Sequence, residues 1–496
     1  MSASSKMALA DLLSGFTTSA LPAELEICGL AADSRKVKPG YLFLACEGAV
    51  QNGLAFVEDA IQQGAAAIAI DAEVEYDSEQ VCVVPVEGLS QRVGLIATKF
   101  YGYPSSKINL VGITGTNGKT SCSHLMAQCF ELNDVRCGVV GTMGFGFSNH
   151  LESLANTTPG PVELQFLLND LYQKGASCIA MEVSSHGLEQ HRTSGCDFSV
   201  AVFTNLSRDH LDYHGSMEAY GQAKLKLFTD ESLNVAVVNL DDNFAADVVA
   251  AVPNNVETIG VSLSEERNIA TNKFVSAKVL SKSLSGTTVL VSSDWGRAEF
   301  TTQLLGEFNI SNILLVIAVA LHSGVAFDEL VKHLPELRAP KGRLESFYEV
   351  DKPLVVVDYA HTPDALQKVL QTLHAHTVGN LWVLFGCGGD RDSGKRPLMG
   401  EVAELNANYV WLTDDNPRTE PSQQIIDDIL SGIQDKDKVK VVTSRETAIR
   451  ELVSSAAAND IILIAGKGHE DYQIIGDQIL SYSDRETVAR VLQEVA

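Results

Sequence analysis

A glycine-rich turn carrying a lysine and a threonine is the first group of residues in this sequence with the chemistry to bind phosphate. Gly115-Thr116-Asn117-Gly118-Lys119-Thr120 follows an apolar, strand-like run and precedes a helical pattern over residues 122–131. Glycines let backbone N–H groups turn toward an anion, Lys119 adds a positive charge, and the helix start adds its dipole. Thr120 supplies a hydroxyl for Mg²⁺. Because Ile113 stands where the general P-loop pattern has its first glycine, we predict a shorter variant of that loop. A glycine turn with an incidental lysine is the alternative.

Carboxylate and imidazole groups suited to a cation follow two further strand-like runs. Glu182 comes directly after the apolar run 178–181, and Asp209 and His210 follow the run that ends at Phe203. In a parallel sheet, side chains at the carboxyl ends of the strands face the ligand crevice. Mg²⁺ prefers oxygen ligands and keeps several waters, so one histidine ligand is allowed although unusual. A purely structural role for His210 is the alternative.

The elements that must position these residues alternate between strand and helix patterns along most of the chain. Such alternation predicts mostly parallel, doubly wound sheets. The stretch from about 268 to 300 is instead rich in Ser, Thr and Val, which is typical of antiparallel hairpins. The predicted strands are residues 42–45, 66–70, 108–113, 178–181, 199–203, 235–238, 354–357, 382–385, 409–412, 439–442 and 461–464.

Chain length and two breaks in the pattern predict three domains. The chain has 496 residues, and domains commonly hold roughly 100–200 residues each. Proline and small polar residues interrupt the pattern at residues 103–106 and again near Pro340. We therefore predict an α/β protein of three domains. These are a small α/β amino-terminal domain over residues 1–104, a central P-loop ATPase-like domain with a mostly parallel sheet over 105–338, and a carboxyl-terminal Rossmann-like domain over 339–496.

The composition excludes several classes of protein. The formal net charge of −26 argues against non-specific binding to nucleic acid or to anionic membranes, although a local basic cluster can still bind a phosphorylated substrate. The nine cysteines show no CxxC pair and no zinc-type spacing, which favours free thiols in a reducing compartment. The sequence shows no secretion signal and no apolar stretch of membrane-spanning length. We expect a cytoplasmic monomer that acts on small molecules.

Six short motifs along the chain occur together in an order typical of one enzyme family. They are GTNGKT at 115–120, NTTPG at 156–160, EVSSHGL at 182–188, NLSRDHLDYHG at 205–215, AKxxLF at 223–228 and DYAHTPD at 358–364. Each motif is moderately specific, and the ordered set resembles the Mur ligase family over residues 33–470, nearly the whole chain. The resemblance implies three domains, which bind the UDP end of one substrate, ATP, and the incoming amino acid.

The same resemblance implies a pair of Mg²⁺ ions and an unusual ligand for one of them. On the sequence alone Lys224 is most simply a solvated lysine, but it matches the family's carbamylated lysine. Carbamylation by CO₂ turns an amine, which binds no cation while protonated, into a carboxylate-like ligand. The implied metal ligands are Thr120, Glu182, His210 and Lys224, and the implied catalytic residues are Lys119, Glu182, His210 and Lys224.

Further residues match binding positions of the family. Ser34, in Asp33-Ser34-Arg35, matches the uridine-side motif. Positions that line the muramoyl-dipeptide are matched by Asn156, Thr157, Thr158, Ser184, Gln190 and Arg192. ATP-side positions, besides the phosphate loop, are matched by Asn309, Arg343, Asp358 and His361. A buried asparagine or an ordinary surface arginine is the simpler alternative at each position.

The motif Asp415-Asn416-Pro417-Arg418 bears on which amino acid is added. It resembles the pattern of family members that accept meso-diaminopimelate, whereas lysine-adding relatives lack the arginine. A planar guanidinium matches the second carboxylate of diaminopimelate bidentately, so the motif favours that substrate over lysine. Arg391 matches the second arginine contact, and Gly466 and Glu470 match positions that hold the other end of the amino acid. A surface salt bridge is the alternative for Arg418.

The resemblance implies an ATP-dependent ligase of peptidoglycan precursor synthesis. The D-glutamyl carboxylate of a UDP-muramoyl-dipeptide would attack the γ-phosphate of ATP, and the amine of meso-diaminopimelate would then open the acyl phosphate. Closure of the domains would complete the site. A folylpolyglutamate synthetase-like ligase, a P-loop phosphotransferase or switch, and a catalytically silent binding protein are the alternatives.

Overall fold

A computed structural model describes residues 6–46, 52–148, 150–207, 209–283 and 286–494. These residues form two compact units, one within 1–261, 268–274 and 318–323, the other within 262–267, 275–317 and 324–496. Each unit is described by itself, and the domain boundaries predicted after residues 104 and 338 remain predictions. Among the described residues, none of the helices combines the length and the apolar character needed to cross a bilayer.

The amino-terminal part of the first unit is a small parallel sheet with helices against it. Strands pair in parallel in the order β3-β4-β5-β6, while β1 and β2 form a separate antiparallel pair. The elements are β1 (Met7–Ala8), α1 (Leu9–Leu13), β2 (Glu26–Ile27), β3 (Gly29–Ala31), β4 (Tyr41–Leu44), α2 (Val57–Gln62), β5 (Ala67–Asp71), β6 (Cys82–Val86) and α3 (Leu89–Phe100). Separate apolar clusters cover the two faces of this sheet, so the predicted α/β domain is present.

The rest of the first unit is built on a larger sheet. Its elements are β7 (Asn109–Thr114), α4 (Lys119–Leu132), β8 (Cys137–Gly141), β9 (Gly144–Phe147), β10 (His150–Glu152), α5 (Pro161–Gln173), β11 (Cys178–Glu182), α6 (Ser185–Glu189), β12 (Val200–Phe203), α7 (Leu211–His214), α8 (Met217–Leu225), β13 (Val235–Asn239), α9 (Ala245–Ala251) and β14 (Glu257–Ser262).

The strand order in this sheet explains where its chemistry lies. Strands run β10-β9-β8-β11-β7-β12-β13-β14, and all neighbours from β8 to β14 are parallel. Strand β7 therefore lies between β11 and β12, and the three carboxyl ends meet at one edge. The phosphate loop, Glu182 and the segment leading to His210 follow these three ends. The predicted mostly parallel sheet is confirmed.

The second unit begins with three antiparallel strands and continues into another parallel sheet. Apart from residues 273–274 of β15 and 318–322 of α10, which belong to the first unit, it holds these elements: β15 (Lys273–Ser283), β16 (Gly286–Ser293), β17 (Gly296–Thr302), α10 (Glu307–His322), α11 (Phe327–His333), β18 (Glu345–Phe347), β19 (Leu354–Asp358), α12 (Pro363–His374), β20 (Leu381–Phe385), α13 (Lys395–Asn406), β21 (Tyr409–Leu412), α14 (Ser422–Leu430), β22 (Val439–Val441), α15 (Arg445–Ser455), β23 (Ile461–Ala465), β24 (Tyr472–Ile475), β25 (Gln478–Ser481) and α16 (Asp484–Glu494). Antiparallel pairing of β15 with β16 and of β16 with β17 confirms the hairpins predicted over 268–300.

The parallel sheet of the second unit has the predicted Rossmann-like form. Strands run β18-β19-β23-β20-β21-β22, and only β18 is antiparallel to its neighbour. Apolar clusters cover both faces, which accounts for the continuous apolar runs read from the sequence. Helix α12 illustrates the packing, because its buried Leu366, Val369, Leu370 and Leu373 repeat at helical spacing.

Candidate active site

The phosphate loop lies between β7 and α4 in the first unit, as predicted. Lys119 Nζ folds back over the loop and donates to the carbonyl oxygens of Gly115 (2.8 Å) and Thr116 (2.9 Å). Gly118, with φ of 87°, precedes the first residue of α4. At Gly115, with φ of 147°, an added Cβ would lie 1.9 Å from Thr204 Oγ1, so only glycine fits there. The arrangement suits an anion held by backbone N–H groups, the helix start and one ammonium.

Glu182 is held rigidly at the end of β11. Its carboxylate is 1% exposed and accepts hydrogen bonds from Thr120 Oγ1 (3.0 Å), the Thr142 backbone N–H (2.9 Å) and Thr142 Oγ1 (3.0 Å). An added Cβ at Gly141 would lie 2.2 Å from Glu182 Oε1, so that glycine is what allows the approach. The structure thus brings Glu182 and Thr120, two of the predicted metal ligands, into direct contact.

Lys224 is buried near the end of helix α8 rather than solvated. Its side chain is 1% exposed, and Nζ lies 4.2 Å from the centroid of the Tyr220 ring. Burial, and to a smaller extent the nearby charge of Lys119, lowers the pKa of Lys224 from 10.5 to about 6, while Asp209 opposes the shift. The amine is therefore largely neutral at pH 7, the form required to capture CO₂.

Replacing Lys224 by methionine should stabilise the protein near neutral pH. An unfolded chain binds a proton at Lys224 up to pH 10.5, whereas the folded chain releases it above about pH 6. Because of this group, the free energy of unfolding rises with pH between about pH 6 and pH 10.5. At pH 7 the buried amine therefore opposes folding. We expect Lys224→Met to raise the free energy of unfolding on the order of 2–4 kcal/mol at pH 7, with a gain that shrinks toward pH 10.

Chemical denaturation in CO₂-free buffer at several pH values measures this gain. Lys226→Met is the matched control, because Lys226 lies two residues away, is half exposed, and forms an ion pair with Glu189 at 2.7 Å. Its substitution should not reproduce the pH-dependent gain. Equal stability of wild type and Lys224→Met across the pH range would mean that Lys224 is not buried as a neutral amine.

His210 lies beside the same tyrosine. Its ring centroid is 6.0 Å from that of Tyr220 and 4.9 Å from that of His186, and its Nε2 lies 3.6 Å from Asp209 Oδ2. The backbone of His210 is left-handed, with φ of 52°, a conformation that costs energy in a residue other than glycine and is often found at functional sites. Arg208, within the quoted motif, lies outside the described residues. Within the described ranges, no three His, Cys, Asp or Glu side chains form a group able to hold a metal.

Residues predicted to line the dipeptide substrate connect to Glu182 through two threonines. Thr157 Oγ1 lies 3.0 Å from Thr142 Oγ1, and Thr158 Oγ1 donates to the Glu182 backbone oxygen at 3.0 Å. Thr158 Oγ1 also accepts the N–H of Ser184 at 2.9 Å. One hydrogen-bond network therefore joins Glu182, a predicted metal ligand, to the residues predicted to bind the dipeptide.

Arg192 joins the same hydrogen-bond network through Thr158. Arg192 Nη1 donates to the Thr158 backbone oxygen at 2.9 Å, and its Nε and Nη2 donate to Gln190 Oε1 at 3.0 and 2.6 Å. Gln190 Nε2 in turn donates to Tyr213 OH at 3.1 Å. Asn156 is exposed next to Thr157. The structure places these predicted residues around one surface, with Arg192 as its cation.

Ser34 lies in the amino-terminal part of the first unit, in a short 3-10 helix over Ser34–Lys36. Asp33 caps this turn by accepting the N–H of Arg35 at 3.0 Å. Lys36 Nζ forms a 3.3 Å ion pair with Glu163 in the first turn of α5. Because α5 begins directly after residues 156–160, the predicted uridine-side segment reaches the element that follows the predicted dipeptide-binding threonines.

The predicted ATP-side residues of the second unit form one compact group and one separate position. Asp358 ends β19 and accepts the N–H groups of Leu344 (2.7 Å) and Ala360 (2.8 Å), and burial raises its pKa. Arg343 lies over the Tyr359 ring at 5.1 Å, and the His361 ring is 4.7 Å from that ring. Asn309, in the first turn of α10, donates to the Leu305 backbone oxygen at 2.9 Å; no hydrogen bond among the described residues joins it to Asp358.

The two arginines predicted to bind diaminopimelate lie together after β20 and β21. Arg418 Nη1 donates to the Gly389 backbone oxygen at 2.8 Å. An added Cβ at Gly388 would lie 2.9 Å from Arg418 Nη1 and 3.6 Å from Arg391 Cγ, so both arginines flank that glycine. Arg418 has a left-handed backbone, with φ of 51°, and its N–H donates to Ile474 O at 3.1 Å. The loop therefore holds Arg418 in one defined backbone conformation, and its left-handed φ costs free energy.

Asp415, Asn416 and Glu470 meet at a residue that the sequence analysis did not single out. Lys467 is fully buried, and its Nζ donates to Asp415 Oδ1 (3.2 Å), Asn416 Oδ1 (3.0 Å) and Glu470 Oε2 (3.2 Å). Its place between Gly466 and Glu470, two residues assigned to the substrate, was the only signal for it in the sequence. The structure thus gathers predicted residues from the loops after β21 and β23 around one cation.

Residues 466–470 face two groups of partners. Lys467 and Glu470 contact the residues after β21, whereas the His469 ring lies 5.1 Å from the Tyr359 ring, on the predicted ATP side. Burial and the charge of Arg343 lower the pKa of His469, which keeps its imidazole neutral at pH 7. The segment therefore joins the predicted amino-acid site to the predicted nucleotide site within the second unit.

Two buried arginines, Arg396 and Arg445, stabilise these loops through hydrogen bonds. Neither was identified from the sequence. Arg396 forms paired hydrogen bonds with Glu420, both at 2.9 Å, two residues past Arg418. Arg445 pairs with Asp484 at 2.7 and 2.8 Å, and its Nη2 donates to the Ala465 backbone oxygen at 2.9 Å. Desolvation by burial lowers the pKa of Arg445, but the charge of Asp484 outweighs it, so the net pKa is raised and the guanidinium stays charged. Such bidentate pairs fix backbone positions.

Three family models match the chain in order. The model described as "Mur ligase family, catalytic domain" matches residues 26–101, "Mur ligase middle domain" matches 113–320, and "Mur ligase, glutamate ligase domain" matches 342–468. Together the three matches cover well over half of the chain and contain most of the residues described above.

Individual proteins resemble the chain over nearly its full length. UDP-N-acetylmuramoyl-L-alanyl-D-glutamate--2,6-diaminopimelate ligase of Ectopseudomonas mendocina (strain ymp) is 49% identical over 457 residues, which cover 92% of this chain and 93% of that protein. A solved structure of a ligase with the same name has a TM-score of 0.76 and 37% identity and covers 99% of both chains. MurF ligase from Thermotoga maritima, solved in complex with ADP, has a TM-score of 0.60 at 18% identity, with 94% of this chain and 98% of that chain covered, and shares the fold.

Proposed function

This chain belongs to the Mur ligase family, and we propose that it adds meso-2,6-diaminopimelate to UDP-N-acetylmuramoyl-L-alanyl-D-glutamate, with release of ADP and phosphate. It is an amide-bond-forming ligase of peptidoglycan precursor synthesis. One observation carries the chemistry of the proposal: the amine of Lys224 is buried, largely neutral, and close enough to Lys119 of the phosphate loop to feel its charge.

Carbamylation of Lys224 follows from that observation as part of the proposal. The lone pair of the neutral amine attacks the carbon of CO₂, a C–N bond forms, one C=O electron pair moves to oxygen, and a proton leaves to solvent. The resulting carbamate carries a negative charge, which Lys119 would compensate. Burial disfavours either charged form, but the positive charge of Lys119 disfavours the ammonium and favours the carbamate anion at this position.

The donor set at this edge of the sheet suits Mg²⁺ once Lys224 is a carbamate. Thr120 and Glu182 supply oxygen atoms in direct contact with each other, and His210 and Lys224 both lie near the ring of Tyr220. When bound, a pair of Mg²⁺ ions would neutralise charge on the transferring phosphoryl group. Thr142 would hold Glu182 in place through the two hydrogen bonds that it donates.

Residues of the first unit would bring the acid substrate to the phosphate. The loop Gly115-Thr116-Asn117-Gly118-Lys119-Thr120 would bind the phosphates of ATP through its backbone N–H groups and Lys119. Thr157, Thr158, Ser184 and Arg192, whose contacts form one network with Glu182, would orient the D-glutamyl carboxylate. Asn156 and Gln190 would border the same substrate, and Ser34 its uridine end. Positioning of this kind can contribute up to about 7–11 kcal/mol to a rate enhancement.

The carboxylate attacks the γ-phosphate, ADP leaves, and the acyl phosphate is then opened by the amine, which forms the amide and releases phosphate. Residues of the second unit would present that amine. Arg418 and Arg391 would bind the distal carboxylate, and Asp415, Asn416, Pro417, Gly466 and Glu470 would hold the rest of the amino acid. Asn309, Arg343, Asp358 and His361 would bind the nucleotide. Because ATP and UDP-linked precursors are intracellular, we place the reaction in the cytoplasm.

Release of ADP by the purified protein tests the function. With ATP, Mg²⁺ and the UDP-muramoyl-dipeptide present, we expect ADP release to depend on meso-diaminopimelate and to yield a product one diaminopimelyl residue heavier. A panel containing L-lysine, L-ornithine and L-glutamate is the control for the amino acid, and dihydrofolate replaces the dipeptide as the control for a folate ligase. ADP release without any amino acid would indicate a phosphotransferase or switch, and dependence on glutamate and folate would overturn the proposal.

A further inference from the structure

A fully buried ammonium lies at the centre of the second unit's substrate-facing loops. Lys467 Nζ donates three hydrogen bonds, to Asp415 Oδ1, Asn416 Oδ1 and Glu470 Oε2, at 3.0–3.2 Å. An ammonium group has three N–H donors. Because all three are used by protein oxygens, Lys467 has no donor left for a substrate.

Two of the side chains that accept from Lys467, Asn416 and Glu470, are also hydrogen-bonded to each other. Asn416 Oδ1 accepts from Lys467 and from the Ile474 N–H at 3.0 Å, which fixes the side-chain amide with Nδ2 toward Glu470 Oε2 at 3.1 Å. Lys467 and Asn416 thus both bind the same oxygen of Glu470, and neither of these bonds uses Oε1. The rotamers of Asn416 and Glu470 are set by the buried lysine.

The charges in this cluster lead to the same conclusion. Lys467 forms ion pairs with Asp415 and Glu470, and all three side chains are largely shielded from water. Removing the cation would leave two carboxylates facing each other in a poorly solvated site, where like charges repel strongly. The carboxylates would move apart, and that movement would displace the groups assigned to the amino acid.

We propose that Lys467 is a positioning residue for the incoming amino acid. It touches no substrate; directly and through Asn416 it holds Glu470 by Oε2, so that Oε1 is left to accept from the substrate's ammonium group. The inference rests on the proposed function, because that function assigns Asn416 and Glu470 to the amino acid. The side chains that Lys467 contacts are all among those assigned to the amino acid, so we expect binding of ATP and of the UDP-linked dipeptide to change little when it is replaced.

Steady-state kinetics of Lys467→Met test the proposal. Methionine keeps the length and apolar stem of lysine but donates no hydrogen bond. We expect KM for meso-diaminopimelate to rise roughly 10- to 100-fold, since breaking a buried ion pair is costly, whereas KM for ATP and for the dipeptide changes less than about twofold. The matched control is Lys436→Met, because Lys436 is exposed in the same unit, and all its constants should equal those of wild type.

A merely structural role would give a different pattern. It would lower the melting temperature and the kcat for all substrates together and leave KM for diaminopimelate unchanged, and that outcome overturns the proposal. If Lys467→Met does not fold, Lys467→Arg decides, because it keeps the charge but replaces three divergent donors by a planar fork. Unchanged KM for diaminopimelate in that variant also overturns the proposal. If the wild-type enzyme uses another amino acid, only the proposed substrate is refuted. The role of Lys467 is then tested by comparing KM for that amino acid between wild type and Lys467→Met.

Discussion

Replacing Lys224 by alanine is expected to reduce the rate of amide formation by about a thousandfold or more. In the proposed mechanism, the carbamate of Lys224 would help to hold Mg²⁺, whose charge would stabilise the transferring phosphoryl group by several kcal/mol, and each 1.4 kcal/mol changes the rate tenfold. Alanine removes the only group at this position that can become an anion. The measurement is kcat for diaminopimelate-dependent ADP release at saturating substrate concentrations.

Short carboxylates in the buffer should partly restore the activity of Lys224→Ala. Acetate or propionate is small enough to enter the space left by the side chain and supplies the missing oxygen ligands. Lys226→Ala is the matched control, since its amine forms a surface ion pair with Glu189; that variant should keep wild-type activity and show no response to carboxylates. Full activity of Lys224→Ala without added carboxylate would remove the carbamate from the mechanism.

Arg418 should make the enzyme prefer meso-diaminopimelate over L-lysine by roughly a thousandfold or more in kcat/KM. With diaminopimelate, the guanidinium meets the distal carboxylate; with lysine it stays without that partner in a half-buried site, next to Arg391 and under the same backbone constraint. An unpaired cation there is penalised, because the contact to Gly389 O uses only one of its five N–H donors. Competition between the two amino acids for limiting dipeptide measures the preference directly.

Replacing Arg418 should reduce this preference by lowering kcat/KM for diaminopimelate rather than by raising kcat/KM for lysine. We expect Arg418→Met to lose about 100-fold or more in kcat/KM for diaminopimelate while its kcat/KM for lysine changes little. Arg450→Met is the control, because Arg450 forms only a partly exposed ion pair with Glu494 at 2.7 Å. Equal efficiency of wild type with both amino acids would contradict the assignment of Arg418 to the distal carboxylate.

Much of the fold followed from short apolar runs. The strand predicted over 354–357 is β19, and the one over 461–464 is β23, because continuous β-branched and leucine runs are typical of strands buried on both faces. Strand β8 was missed: its two valines stand between Gly138 and Gly141, which weakens the strand pattern. Its place beside β11 depends on a pairing with residues about 40 positions away, which no local pattern contains.

The parts of the site that were missed depend on such distant pairings. Thr142 reaches Glu182 only because β8 and β11 pair in register, so its two hydrogen bonds could not be read from the sequence. Lys467 looked like an ordinary charged residue, and lysines are rarely fully buried. Its burial against two carboxylates arises only when β21 and β23 bring their loops to the same edge. Lys224 was identified through resemblance, and its burial supplies the physical reason that the sequence lacked.

The two-sided segment 466–470 limits how this protein can evolve. Lys467 and Glu470 contact Asn416 on the predicted amino-acid side, whereas His469, which lies between them in the sequence, contacts Tyr359 on the predicted nucleotide side. A single-codon change that evades an antibacterial compound seated against this segment would also disturb one or both natural ligands. Substitutions within the segment are therefore expected to cost activity, which makes these five residues a favourable target for inhibitor design.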